Sequence, residues 1–277
     1  MARKQLRIIN KIWINAFFWL LMLLIIYPLF WMIQNSLKTS TELFINSFTF
    51  PEVAQFHNYT DAWNMGFSSF FLNSVLVTVV SVAFTVLFAA LCAYALARLE
   101  LRFRKVILYL IIGGLLLSPQ SALISLYRIF DALNIYNTYL AMIVPYIAFR
   151  IPFSVFLMYG YFKEFPSDLE DAARIDGCST SKIFFRIVMP ISRPIIAATA
   201  IVSAIFTWNE FLLALVFIES EELVTIPVGL SRFRDALQTN WTGMMAGIVI
   251  ASLPMIIAFL LMSKAFIRGL TAGSVKG

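Results

Sequence analysis

The chain has 277 residues, 61% of them apolar and 13% charged, and 21 Lys+Arg against 15 Asp+Glu leave a formal net charge of +6. Water-soluble domains carry roughly 45–50% apolar and about 25% charged residues, so this chain lacks the polar side chains to cover a water-facing surface. At about 20 apolar residues per helical crossing, its length holds roughly six crossings with modest connections, which excludes a large extramembrane catalytic domain.

In chain order, residues 1–15 form a basic N-terminus with Arg3, Lys4, Arg7 and Lys11 ahead of an apolar stretch. That arrangement resembles the start of a signal peptide, but no small-residue cleavage site follows, so the stretch reads as a retained first span. Apolar runs at 16–33, 73–97, 106–126, 138–162, 195–218 and 244–262 predict six transmembrane helices. The runs are continuous, unlike the alternating ten-residue segments of a membrane barrel. The expected organisation is a cytoplasmic N-terminus over 1–15, an all-α membrane domain over 16–268 that includes a cytoplasmic loop at 163–194, and a tail over 269–277. Cys92 and Cys178 offer neither a disulfide framework nor metal-ligand spacing, and no metal site is expected.

With the N-terminus inside, cytoplasmic segments hold sixteen of the basic residues, and the outer loops hold only Lys38, Arg128, Arg232 and Arg234. This asymmetry predicts that both termini are cytoplasmic. An anionic inner leaflet accounts for the positive charge, and no nucleic-acid partner is implied.

Two charges fall inside spans: Arg150 in the fourth, and Glu210 in the fifth within Trp208-Asn209-Glu210. An intramembrane charge costs roughly 2.5–3.5 kcal/mol and faces a partner or a watery cavity. Two readings stand: Arg150, Trp208, Asn209 and Glu210 border a translocation path, or Arg150 and Glu210 pair to fix packing. Pro119-Gln120-Ser121 interrupts the third span, and Pro145, Pro152 and Gly160 punctuate the fourth. Such breaks serve alternating access or are tolerated packing features.

The loop after the fourth span is patterned. Pro166 stops the preceding helix, Ser167 or Asp168 suits an N-cap, and Gly177 suits the end of a helix of two to three turns. Leu169, Ala172, Ala173 and Asp176 fall near one face by three- and four-residue spacing, and the alanines let another surface approach closely. The acids Asp168, Glu170, Asp171 and Asp176 outnumber Arg174, which favours a soluble partner over anionic lipid.

Asp171-Ala172-Ala173, three residues, Gly177, nine residues, then Ile187-Val188-Met189-Pro190 resembles the EAA loop of the membrane subunits of bacterial ATP-binding-cassette importers. Asp171 stands where that family usually has Glu, and Met189 where it often has Leu. Asn35-Ser36-Leu37-Lys38-Thr39, Glu42-Leu43-Phe44, Asn58-Tyr59, Asn73-Ser74, Trp208-Asn209-Glu210-Phe211, Thr225-Ile226-Pro227-Val228-Gly229-Leu230 and the closing 269–277 narrow the resemblance to the carbohydrate branch, on the side of the maltose permease G-like subunit.

The resemblance implies a type I importer permease fold in the bacterial cytoplasmic membrane. It implies ATPase coupling through Asp171, Ala172, Ala173, Asp176, Gly177 and Pro190, and a tail whose Gly273 and Lys276 reach between ATPase subunits. The implied partners are a second sugar permease, two ABC ATPase subunits and an extracellular solute-binding protein that faces the loops at 35–73 and 219–242. The chain has no GxxxxGK phosphate loop followed by Ser or Thr, so ATP and Mg are expected on the partners, with no cofactor bound here and no enzyme activity of its own. Aromatic faces and hydrogen-bonding groups recognise sugars, which makes Trp208, Asn209, Glu210 and Arg150 the candidates for the substrate path. An ion-gradient-driven secondary transporter or channel is the alternative; it is expected to show inverted repeats, and no internal repeat is evident. A purely structural scaffold gives no reason for the polar residues in mid-membrane.

Overall fold

The computed structural model describes residues 2–236 and 241–271, with side chains placed over 11–231 and 241–264. The proposed tail contacts Gly273 and Lys276 lie outside the described residues. Every regular element among the described residues is helical. The chain divides into two compact units, Met1–Phe67 with Leu230–Ser252, and Ser68–Gly229 with Leu253–Gly277.

In the first unit, α1 (Ala2–Ser36) carries the first apolar run. Within Lys11–Ser36 its most apolar 18-residue stretch has a mean hydropathy of 2.3, and it displays Trp13 at 71% and Leu24 at 67% exposure, as suits a helix apolar all round in hydrocarbon. A turn follows, then α2 (Ser40–Ile45), opened by a reciprocal cap in which Thr39 Oγ1 accepts from the Glu42 N–H and the Glu42 carboxylate accepts from the Thr39 N–H. In α3 (His57–Ala62), the Asn58 side chain donates to the carbonyls of Ser36 and Lys38, both at 2.9 Å, and Tyr59 and Ser36 share a hydroxyl contact of 2.6 Å. Lys38 is fully buried, and its Nζ donates to the Asn46 carbonyl at 2.8 Å. Asn58 thus satisfies the last carbonyl of α1 and one in the turn after it.

The second unit is built on α4 (Ser68–Arg98), α7 (Tyr139–Glu164) and α11 (Arg193–Trp208). Ala89, Ala90 and Ala93 of α4 let it approach Val155, Met158 and Phe162 of α7 closely, and Ile195 of α11 joins them. A second cluster gathers Val77, Met142 and Tyr146 with Leu213 and Phe217 of α12 (Leu212–Phe217). The unit also holds α5 (Arg104–Gly113), α6 (Pro119–Ala132), α8 (Ser167–Ile175), α9 (Thr180–Ile183) and α10 (Met189–Ile191). The chain closes through α13 (Ile226–Ala236) and α14 (Trp241–Thr271).

Among the described residues, four helices are long and apolar enough to cross a membrane, and up to six spans result if each of two bent pairs counts as one. The expected runs 16–33, 73–97, 138–162 and 244–262 lie within α1, α4, α7 and α14. The third run, 106–126, where Pro119-Gln120-Ser121 is expected to interrupt the span, bends by 99° between Leu116 and Pro119. Ser118 there is extended (φ −79°, ψ 132°), as a residue before proline prefers, and Pro119 brings no N–H to continue the ladder. The fifth run, expected unbroken over 195–218, stops at Trp208 and restarts at Leu212. Pro145 and Pro152 are accommodated inside α7 without ending it.

Candidate functional site

The loop after α7 forms a discrete element. After the extended Pro166 (φ −58°, ψ 122°), α8 runs nine residues with Asp168 and Glu170 in its first turn and Arg174 in its last, in keeping with the helix dipole. Pro166, rather than Ser167 or Asp168, stands at the N-cap, and no side-chain cap is made there. Gly177 ends the element at φ +77°. Its N–H donates to the Arg174 carbonyl at 3.0 Å, and the Cys178 N–H donates to the Ala173 carbonyl at 2.9 Å, the closure a left-handed glycine permits.

Residues expected on one face part company. Ala173 is buried in a cluster with Phe165 and Ile183, whereas Leu169, Asp171, Ala172 and Asp176 are exposed, and Ile175 is 87% exposed. The buried stripe begins one turn earlier, at Glu170, which is 2% exposed. Its Oε1 lies 2.9 Å from Arg98 Nε, its Oε2 accepts from the Tyr94 hydroxyl at 3.1 Å, and Arg174 is 3.7 Å away. Arg98 also donates through Nη2 to the Phe165 carbonyl. Sequence reasoning passed over Glu170, Arg98 and Tyr94. The available signal was spacing: Glu170 precedes the inward Ala173 by three, and Tyr94 precedes Arg98 by four. Pro190 lies exposed in α10, next to the buried Ser192 where the loop bends by 77° into α11.

A second polar cluster occupies the break after α11. The Glu210 carboxylate accepts from the N–H groups of Leu213 (2.9 Å) and Ala214 (3.3 Å), which starts α12, and from the Tyr146 hydroxyl at 2.7 Å. Asn209 turns back to the Ile205 carbonyl at 2.7 Å. Trp208 is buried, edge-on to Phe71 at 6.0 Å between ring centroids. Arg150 makes no ion pair with Glu210 within 4 Å: the ion pairs among the described residues are Arg98–Glu170, Arg174–Glu170 and Arg174–Asp171. Its guanidinium instead lies 4.1 Å from the Phe206 ring centroid, a cation–π contact. Arg150 and Glu210 line a cavity of about 290 Å³ together with Gln120, Tyr146, Phe149 and Phe206. Trp208 and Asn209 are not among its walls. The break before Pro119 brings Gln120 to this cavity.

On the loops beyond these helices, the Asn73 amide donates to the carbonyls of Glu222 (2.7 Å) and Val224 (2.9 Å) and accepts from the Tyr139 hydroxyl at 2.7 Å. Ser74 accepts from the Ile226 N–H at 2.8 Å. A side chain at Gly229 would stand 2.3 Å from the Phe70 ring, so the motif Thr225 to Gly229 is shaped by the helix that begins with Ser68. Tyr136 donates to the Glu219 carboxylate at 3.0 Å; burial first, and then that carboxylate, raises its pKa to about 12.

Residues 86–272 match the family described as the binding-protein-dependent transport system inner membrane component. The chain belongs to that family. It is 46% identical over 268 residues to the "Probable ABC transporter permease protein YurM" of Bacillus subtilis (strain 168), covering 97% of this chain and 89% of that one. It is 34% identical over 274 residues to the arabinooligosaccharides transport system permease protein AraQ of the same organism, covering 97% of each. It is 33% identical over 263 residues to the trehalose/maltose transport system permease protein MalG of Thermococcus litoralis, covering 93% of this chain and 94% of that one. A bacterial ABC transporter involved in the import of the acidic polysaccharide alginate has the same fold, with a TM-score of 0.78 at 23% identity over 96% of this chain and 98% of that one. The permease is thus a multi-pass inner-membrane component of an ABC importer that works with other permease, ATPase and binding-protein components.

Proposed function

We propose that this permease forms half of the membrane pathway of a sugar importer, with an oligosaccharide as the cargo class. In this reading it crosses the membrane six times with both ends cytoplasmic. It pairs with a second, different permease, rests on two ATPase subunits that bind ATP and Mg, and receives solute from an extracellular binding protein. The relatives named for arabinooligosaccharides and for trehalose and maltose support the cargo class.

The observation that carries the coupling reading is the burial of Glu170 against Arg98 and Tyr94. A short helix held by one stripe on its own chain presents its opposite stripe, Asp171, Ala172 and Asp176, to a partner. Such a helix acts as a rigid lever, because rotation would pull Glu170 away from Arg98 and leave the buried guanidinium without its partner. ATPase closure pushes the outer stripe, and the ion pair passes the displacement to α4, while Phe165 passes it to α7.

The test is Ala172→Arg in the assembled importer, in proteoliposomes with its ATPase and binding protein. Ala172 is exposed, so the variant folds and inserts; uptake and binding-protein-stimulated ATP hydrolysis are expected to fall together by more than about tenfold, as for a disrupted contact worth over 1.4 kcal/mol. Uptake at the parent rate rejects the lever. Full-rate uptake with no ATPase present rejects the importer reading in favour of an ion-driven carrier.

A further inference from the structure

Arg150 lies in the fourth apolar run and lines a cavity of about 290 Å³. A guanidinium stays charged at any physiological pH and carries five donors in a planar fork. Here the fork lies over the face of Phe206, 4.1 Å from its centroid. The nearest acid on the same cavity wall, Glu210, is otherwise engaged: its oxygens serve the Tyr146 hydroxyl and the N–H groups of Leu213 and Ala214. The cation is therefore half-buried without a carboxylate within ion-pair distance, while its donors border an open space.

Packing alone is a poor account of this residue. The cost of an arginine at membrane depth is roughly 2.5–3.5 kcal/mol, and a desolvated cation–π contact returns about 2 kcal/mol, leaving the donors unused. If a neutral sugar were the only occupant, an amide such as Gln120 would suffice at a lower burial cost. What the fork adds is two-point recognition of a planar anion. The same walls supply what a sugar ring needs beside it: the apolar faces of Phe149 and Phe206, and the polar Gln120 and Tyr146.

We infer that this cavity is a subsite for a saccharide bearing a carboxylate, with Arg150 as the specificity-determining residue that pairs with the anion while Phe206 holds the guanidinium in place. The inference rests on the sugar-import reading and narrows it to acidic sugars.

The experiment uses the complete importer in lipid nanodiscs, with glucuronate and glucose as matched probes whose binding is followed by saturation-transfer NMR. Glucuronate is expected to bind at least about tenfold more tightly than glucose, the return on a charge-assisted pair. Arg150→Gln lowers glucuronate affinity to the level of glucose, and Arg150→Lys restores part of the difference. Equal binding of the two probes, absence of glucuronate binding, or loss of both probes together in Arg150→Gln overturns the subsite. ATP-driven uptake of neutral and uronate-containing disaccharides by the same complex separates the two readings. Uptake that persists while the subsite fails leaves the importer intact and the anion preference wrong; transport of no saccharide at all rejects the sugar-import reading and the subsite with it.

Discussion

Glu170 Oε1 and Arg98 Nε stand 2.9 Å apart, joining the nine-residue helix α8 to the last turn of the 31-residue helix α4. The two residues are 72 positions apart, and Arg98 also reaches the Phe165 carbonyl at the end of α7. One guanidinium therefore fastens α8 to two membrane helices. Removing either partner strands a buried charge, which costs about 3–5 kcal/mol where burial is deep. Glu170→Ala is expected to destabilise the second unit by about 3 kcal/mol, measured by thermal unfolding of the purified complex. In a double-mutant cycle, the loss from Glu170→Ala with Arg98→Ala together is smaller than the sum of the single losses. Glu170→Gln keeps the shape and loses the charge, and raises the ATP hydrolysed per solute moved.

Neighbouring alanines should behave oppositely. Ala173 is 6% exposed in a packed cluster, so Ala173→Arg overfills the site, costs about 1–3 kcal/mol or more, and lowers the amount of protein inserted. Ala172→Arg leaves insertion unchanged and affects only function. Quantitative blotting of membranes beside uptake assays distinguishes the two.

Glu210 holds the start of α12. Glu210→Ala leaves the N–H groups of Leu213 and Ala214 and the Tyr146 hydroxyl without their acceptor, at about 1–3 kcal/mol per buried group. Hydrogen exchange over 212–217 should speed up, while exchange in α8 stays at the parent rate.

Asn73 ties the start of α4 to the loop at 222–224 and to α7 through three hydrogen bonds. Asn73→Ala is expected to cost about 1–3 kcal/mol and to raise protease sensitivity near 222–226.

The Tyr136–Glu219 contact has a defined pH window. Because the folded-state pKa is raised from 10.0 to about 12, its contribution is complete below pH 10 and disappears as pH climbs through about 12, where the phenol loses the proton it donates. A spectrophotometric titration shows one late-ionising tyrosine fewer in Tyr136→Phe.

Much of this architecture is legible in the residues. Pro166 and Gly177 bracket α8 because each acts on the backbone locally, and four long apolar runs coincide with helices for the same reason. The side of α8 that turns inward was not legible, since Glu170 is buried by an arginine from a distant helix. Hydropathy also passed over the break at 209–211, where the surrounding residues stay apolar and the helix is interrupted by a carboxylate that captures the next amides. Arg150 and Glu210 looked like mutual partners by charge; Phe206, four residues before Glu210, and Tyr146, four before Arg150, took those places through contacts that charge arithmetic does not rank.

The apolar run of α1 covers 16–33, about 27 Å at 1.5 Å per residue, and none of the helix's most hydrophobic window is buried inside the chain. A hydrocarbon layer of about 30 Å matches it upright, so a thicker bilayer must thin around this column or draw its polar ends inward. Transport should therefore respond to acyl-chain length, and reconstitution in long-chain lipid is expected to slow it.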